Sequence, residues 1–153
     1  MLFVIDTSCL IVLQRLDWLE EFLSHDDDTF LCPPGVAQEL RNNTKLLKRL
    51  KQGMVGITNV DRPIAMTSIS ATDAEVIALA LECGGNILSE DTELRKKAGN
   101  MGIPAINIAG LIASSYQYGR FDQNECLERL KILVSKRFLS QANYRKIVRS
   151  VKI

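Results

Sequence analysis

Apolar residues fall along this chain in two rhythms. Short solid runs, too brief for helices and rich in β-branched or aromatic side chains, read as buried strands. They are Leu2–Ile5, Thr29–Cys32 (closed by Pro33-Pro34), a weaker Val55–Thr58, Asn86–Ser89, and a last short Ala105–Asn107. Between them, apolar residues recur every three or four positions. Leu10–Leu23 reads as a helix broken near Asp17-Trp18. A second helix starts at Pro34, where proline suits the first turn, and runs through Leu40. Leu46, Leu47 and Leu50 mark an amphipathic basic helix ended by Gly53. The clearest helix is Ser70–Cys83, with Ala74, Ile77, Ala78 and Leu81 on one stripe and Gly84-Gly85 as its stop. Thr92–Asn100 follows, and then Ala109–Tyr118, Asp122–Lys136 and Gln141–Val151 with no strand among them. Strands alternating with helices imply a parallel sheet with right-handed crossovers. No internal repeat or linker interrupts the pattern. The expectation is an α/β fold in a single domain over 1–153, with a core over about 1–107 and a helical C-terminal extension over about 108–153.

Composition narrows the class. The 153 residues are 46% hydrophobic and 24% charged, as in ordinary globular domains. No apolar run approaches the roughly 18 residues that span a bilayer, and the first residues read as a strand without a basic flank, not as a signal peptide. Cys9, Cys32, Cys83 and Cys126 lie far apart among apolar neighbours, which points to reduced core thiols and a cytoplasmic setting. His25 is the only histidine, so a histidine-rich metal site or a Ser-His-Asp triad has little to work with. The net charge of +1 hides an asymmetry. Arg41–Lys51 carries five basic side chains and Arg129–Ile153 eight, neither with an acid, so all 18 acids lie elsewhere. Two basic segments beside an acidic remainder suit either solvated helix faces or a surface that gathers a polyanion.

The acids are placed with some regularity. Asp6 follows the first strand, with Thr7 and Ser8 beside it. Asp91 follows the strand ending at Ser89, Asp73 lies in the first turn of the helix begun at Ser70, and Glu39 lies near the apolar stripe of the helix after the second strand. Each has an ordinary structural use. Asp6 and Asp91 can cap helices, Ser70-x-x-Asp73 and Thr72-x-x-Glu75 look like capping boxes, and acids favour the first turn of any helix. Four acids near strand-to-helix boundaries, with no lysine or histidine to neutralise them, also form a set. In open α/β sheets, ligand sites lie beyond the carboxyl ends of the strands. Converging carboxylates repel, and Mg²⁺ or Mn²⁺, which prefer oxygen ligands, relieves that repulsion, activates water and offsets charge on a phosphodiester.

These pieces carry a resemblance. Val4-Ile5-Asp6-Thr7-Ser8 with Leu10-Ile11, Pro33-x-x-Val36-x-x-Glu39-Leu40, Thr72-Asp73-Ala74-Glu75-Val76-Ile77-Ala78-Leu79-Ala80-Leu81-Glu82, and Ile87-Leu88-Ser89-Glu90-Asp91-Thr92-Glu93-Leu94-Arg95 are similar, in order and spacing, to the PIN-domain family of metal-dependent ribonucleases. Residues 107–153 resemble the helical tail of small prokaryotic, VapC-like members. The resemblance implies a three-layer α/β/α sandwich and an acidic pocket for Mg²⁺ or Mn²⁺. Asp6, Glu39, Asp73 and Asp91 stand at the family's acidic positions, Thr7 or Ser8 at its hydroxyl position, and Glu93 at that of an accessory acid. It further implies hydrolysis of RNA, often by the toxin half of a toxin–antitoxin pair and often by a homodimer. Glu75 departs from the pattern as an additional acid. Asp73 and Glu75 differ by about 200° of helical rotation. Asp73 precedes Ile77 and Leu81 on the stripe expected to be buried, and stands nine residues before Glu82 as in the family. Asp73 is therefore the expected third carboxylate.

Other classes compete. A non-catalytic PIN scaffold binding RNA or protein is disfavoured by the complete acid set. An rRNA- or tRNA-processing PIN nuclease is suggested by Thr67–Cys83, but no zinc ribbon follows. A nucleotide-binding domain would carry a glycine-rich phosphate loop, and neither such motif is present. A phosphotransferase using Asp6 would want a second aspartate where Ser8 stands. Leu127, Leu130, Leu133, Ile147 and Val151 offer the apolar faces from which a dimer is expected.

Overall fold

The first strand lies at the centre of everything that follows. In the computed structural model, which describes residues 1–153, Leu2–Ile5 (β1) pairs in parallel with Thr29–Cys32 (β2) on one side and Asn86–Leu88 (β4) on the other. Gly56–Ile57 (β3) adds to β2 and Ala105–Ile106 (β5) to β4, so the sheet order is β3-β2-β1-β4-β5. The register is Val4 opposite Leu31 and Ile87, and Ile5 opposite Leu88. Phe3, Val4 and Ile5 are fully buried, as expected of a strand covered on both faces, and Phe3 stacks on Phe30 with ring centroids 5.4 Å apart. The chain leaves β1 toward β2 and later returns to the other side of β1 as β4. This places the topological switch point at the carboxyl ends of β1 and β4.

Two compact units make up the chain, 1–106 and 107–153. In the first, the helices are Thr7–Arg15 (α1), Leu19–Leu23 (α2), Pro34–Glu39 (α3), Thr44–Arg49 (α4), Ala71–Cys83 (α5) and Thr92–Asn100 (α6). The break foreseen near Asp17 is real: Asp17 has φ 57°, and the Trp18 N–H turns back to Leu13 O at 2.9 Å. The basic helix is shorter than its pattern suggests, because α4 gives way to a wider π-type turn over Leu50–Met54, in which Gly53 adopts φ 95°. The weak third strand shrinks to two residues. A Cβ at Gly56 would stand 2.9 Å from Leu31 Cδ2, so a larger residue there would have to displace the Leu31 side chain.

One expectation is overturned. Leu81 is not on the buried side of α5; it is 48% exposed. The helix instead buries Ala74 and every residue from Val76 to Ala80. It packs against β1 and β4 and also against α3, and a helix covered on several sides has no single apolar stripe to read.

The second unit contains Ile108–Gln117 (α7), Gln123–Ser135 (α8) and Gln141–Ser150 (α9). Each is entered through a side-chain cap: Asn107, the Asp122–Glu125 capping box, and Ser140. Of the five apolar positions from which a dimer was expected, Leu130, Leu133 and Val151 are already buried in the single chain, while Leu127 and Ile147 are half-buried. No helix is long and apolar enough to cross a membrane. All four cysteines are free thiols, three of them buried.

Candidate active site

Asp6 is the first residue beyond β1, and its backbone N–H still donates to Leu88 O at 3.1 Å, as if continuing the ladder. Its side chain is only 4% exposed. Three donors hold it. The Cys9 N–H (3.0 Å) and the Ser8 hydroxyl (2.7 Å) donate to Oδ1, and the Ser89 hydroxyl donates to Oδ2. Each hydroxyl also accepts from the loop after β4: Ser8 Oγ from the Glu90 N–H at 3.1 Å, Ser89 Oγ from the Asp91 N–H at 3.0 Å. Two serines thus tie the carboxylate at the end of β1 to the turn at the end of β4. Ser89 was not among the site residues expected. The signal for it is a hydroxyl closing an apolar strand two residues before Asp91, just as Ser8 lies two residues after Asp6.

The other acids arrive on separate elements. Asp91 caps α6, with Oδ1 accepting from the Glu93 (2.9 Å) and Leu94 (3.2 Å) N–H groups, which leaves Oδ2 without a hydrogen bond. Arg95 steadies this turn by donating to Ser89 O at 2.8 Å. Asp73 lies in the first turn of α5, behind the Ser70 cap. Glu39 is the last residue of α3, and its Oε2 accepts the Thr7 hydroxyl at 2.6 Å. None of the four acids forms an ion pair. Their charges act on one another instead. Burial, and to a lesser degree Asp91, raises the pKa of Asp6 above the ordinary carboxylate value, while its serine and backbone donors pull the other way. Burial, then Asp91 and Asp6, and more weakly Glu39, raise that of Asp73, with the Ser70 hydroxyl opposing. Asp6, Asp73, Asp91 and Glu39 therefore share one electrostatic environment at the switch point.

Two further acids go elsewhere. Glu75 turns away toward α3 and accepts the Gly35 N–H at 3.1 Å. Glu93 is exposed on the first turn of α6 and contributes its backbone N–H to the Asp91 cap. Thr72-x-x-Glu75 is not a capping box, since Ser70 is the residue that caps α5. Glu82, on the same helix, accepts the Asp61 (3.1 Å) and Arg62 (2.6 Å) N–H groups and so pins the long loop between β3 and α5.

The donor set consists of oxygens alone: carboxylates, with hydroxyls that orient two of them. That chemistry suits a hard divalent cation. As the side chains stand, no three acids approach closely enough to hold one ion together.

A five-stranded parallel sheet flanked by helices, with Asp6 and Asp91 at its switch point, has a PIN-like fold. The PIN-domain family DUF3368 matches residues 2–152, and the chain belongs to it. Among solved structures it is similar to a PilT N-terminus domain protein from the hyperthermophilic archaeon Sulfolobus solfataricus P2. The two are 23% identical over 75% of this chain and 93% of that one, with a TM-score of 0.61. No curated protein matches the chain. PIN domains are generally nucleases that act on nucleic acid with divalent metals.

Proposed function

We propose that this chain is a metal-dependent endoribonuclease. The observation that carries the reading is the buried Asp6 carboxylate at the end of β1, tied through Ser8 and Ser89 to the turn that carries Asp91 at the end of β4, with no cationic side chain paired to either acid. Asp6, Asp73, Asp91 and Glu39 are the residues that would hold Mg²⁺ or Mn²⁺, their side chains turning inward from the separated positions described above, and the ion would supply charge to activate water and offset the negative charge growing on a phosphodiester. Asp91 Oδ2 is the carboxylate oxygen best placed to meet a ligand, since the caps of α6 use only Oδ1. Ser8 and Ser89 fix the orientation of Asp6 through donated hydrogen bonds, so its lone pairs face a set direction without a rotamer search. Thr7 does the same for Glu39. The basic segments over 41–51 and 129–153 supply cations for the RNA backbone.

The finer setting follows from the resemblance. We take the chain to be one PIN-like domain with its helical extension, acting in the cytoplasm as a homodimer and as the toxin of a toxin–antitoxin pair. A short open reading frame for a DNA-binding protein beside this gene would support the toxin role.

Purified protein should cleave single-stranded RNA when Mn²⁺ or Mg²⁺ is added and stop when the metal is chelated. Asp6→Asn should abolish cleavage while the protein stays folded, because the amide keeps the shape and one acceptor oxygen and removes a charge whose burial is costly. Full activity in that variant, with circular dichroism confirming a native fold, would refute the assignment.

A further inference from the structure

Helix α3 delivers Glu39 to the site, and although Pro34 suits its first turn, the side chain of its own N-cap residue does not cap it. It is entered through Pro33, whose side chain has no oxygen to offer the first backbone donors. One of those donors, the Gly35 N–H, is met instead by Glu75 Oε2, which reaches over from α5. Glycine leaves room for the approach. A Cβ at residue 35 would stand 3.0 and 3.2 Å from the two Glu75 oxygens and 3.1 Å from Thr72 Oγ1. Gly35 and Glu39 are four residues apart, so they lie on one face of α3. The bond that holds Gly35 against α5 therefore sets the direction in which Glu39 leaves the other end of the helix. Thr7 then holds the Glu39 carboxylate from the α1 side.

We propose that Glu75 is a positioning residue: it caps α3 from across the cleft wall and thereby places Glu39, without joining the carboxylates that meet the substrate or its metal. The consequence for activity rests on the nuclease reading above; the capping itself does not.

The test combines amide exchange, kinetics and a double-mutant cycle on the full chain. In Glu75→Ala, the Gly35 amide should exchange at least about tenfold faster, and kcat for RNA cleavage should fall about tenfold with KM changed by less than about twofold. Glu75→Gln keeps an acceptor oxygen and should recover most of both losses, though not all, because a charged acceptor is the stronger one. Gly35→Ala should lower the melting temperature of the wild type more than that of Glu75→Ala, since the contact it crowds is then gone. Unchanged Gly35 exchange in Glu75→Ala would overturn the proposal. So would a Glu75→Gln variant that keeps Gly35 protected yet is as inactive as Glu75→Ala, because the charge itself would then be the working part. If the wild type cleaves no RNA with either metal, the nuclease reading fails, and the Gly35 exchange and the stability cycle still decide whether Glu75 holds α3.

Discussion

At the scale of single residues, capping a helix and serving a site are not alternatives here. Asp6 caps α1 and Asp91 caps α6, and both belong to the acidic set. The same location explains both uses: the residue that ends a buried strand and starts a helix meets free N–H groups on one side and the crevice on the other. Asp6 and Asp73 also set a pH dependence whose sign can be worked out. Both carboxyls hold their protons to higher pH in the folded chain than the ordinary value of about 3.9. Between that value and the raised one, the folded state binds more protons than the unfolded state. Metal-free stability should therefore fall as pH rises through this window and level off above it. Asp73→Asn removes one of the interacting charges. It should raise the melting temperature of metal-free protein at neutral pH, flatten the fall in stability with pH just above the ordinary carboxylate value, and reduce the stabilisation gained on adding Mn²⁺. Melts across that range, with and without metal, would show it. A variant less stable than wild type at neutral pH would mean that the repulsion is not there to relieve.

At the scale of elements, punctuation was more legible than packing. The stop at Gly84 (φ 69°) and the break at Asp17 were visible because glycine and short polar residues favour left-handed backbone. The asymmetry of α5 was not, since its exposure depends on which helices and strands cover it, as Leu81 shows. The loop from Thr58 to Ser70 was equally hidden. It is anchored by side chains far along the chain, Glu82 to the Asp61 and Arg62 amides and Lys97 to Ser68, and no local pattern announces such partners. Asp17 offers a direct check on the helix-end reading. It ends α1 in a left-handed conformation that costs a side-chain-bearing residue more than glycine. Asp17→Gly should stabilise the protein by roughly 0.5–1 kcal/mol in urea titrations, against the usual loss for placing glycine elsewhere. A loss of stability would mean that the Asp17 side chain holds the turn in some other way.

At the scale of the whole molecule, the parallel pairing of the strands followed from the alternation of elements, whereas the strand order β3-β2-β1-β4-β5 did not. The roles of Ser89, Glu75 and Glu82 did not, because each depends on a contact with a residue 20 or more positions away. Charge segregation was plain in the sequence, whereas the surplus of apolar surface in 107–153 was overestimated there: Leu130 and Leu133 need no second chain to be buried. A dimer must then rest on the half-buried Leu127 and Ile147 and their surroundings. Light scattering at micromolar concentration should give the mass of two chains, with Leu127→Glu shifting it toward one. A monomer throughout would remove the homodimer from the proposed function and leave the cleft as described.

The central place of β1 also sets an order of events during synthesis. Phe3, Val4 and Ile5 pair with residues 86–88, so the strand made first must wait for a partner made more than 80 residues later. At about 5–20 residues per second this delay is roughly 4 to 16 seconds. Until it ends, Asp6 lacks the hydroxyl of Ser89 and the neighbouring charge of Asp91, and no crevice exists. The surroundings of Asp6 are therefore completed only once residues 86–91 have been made and paired with β1.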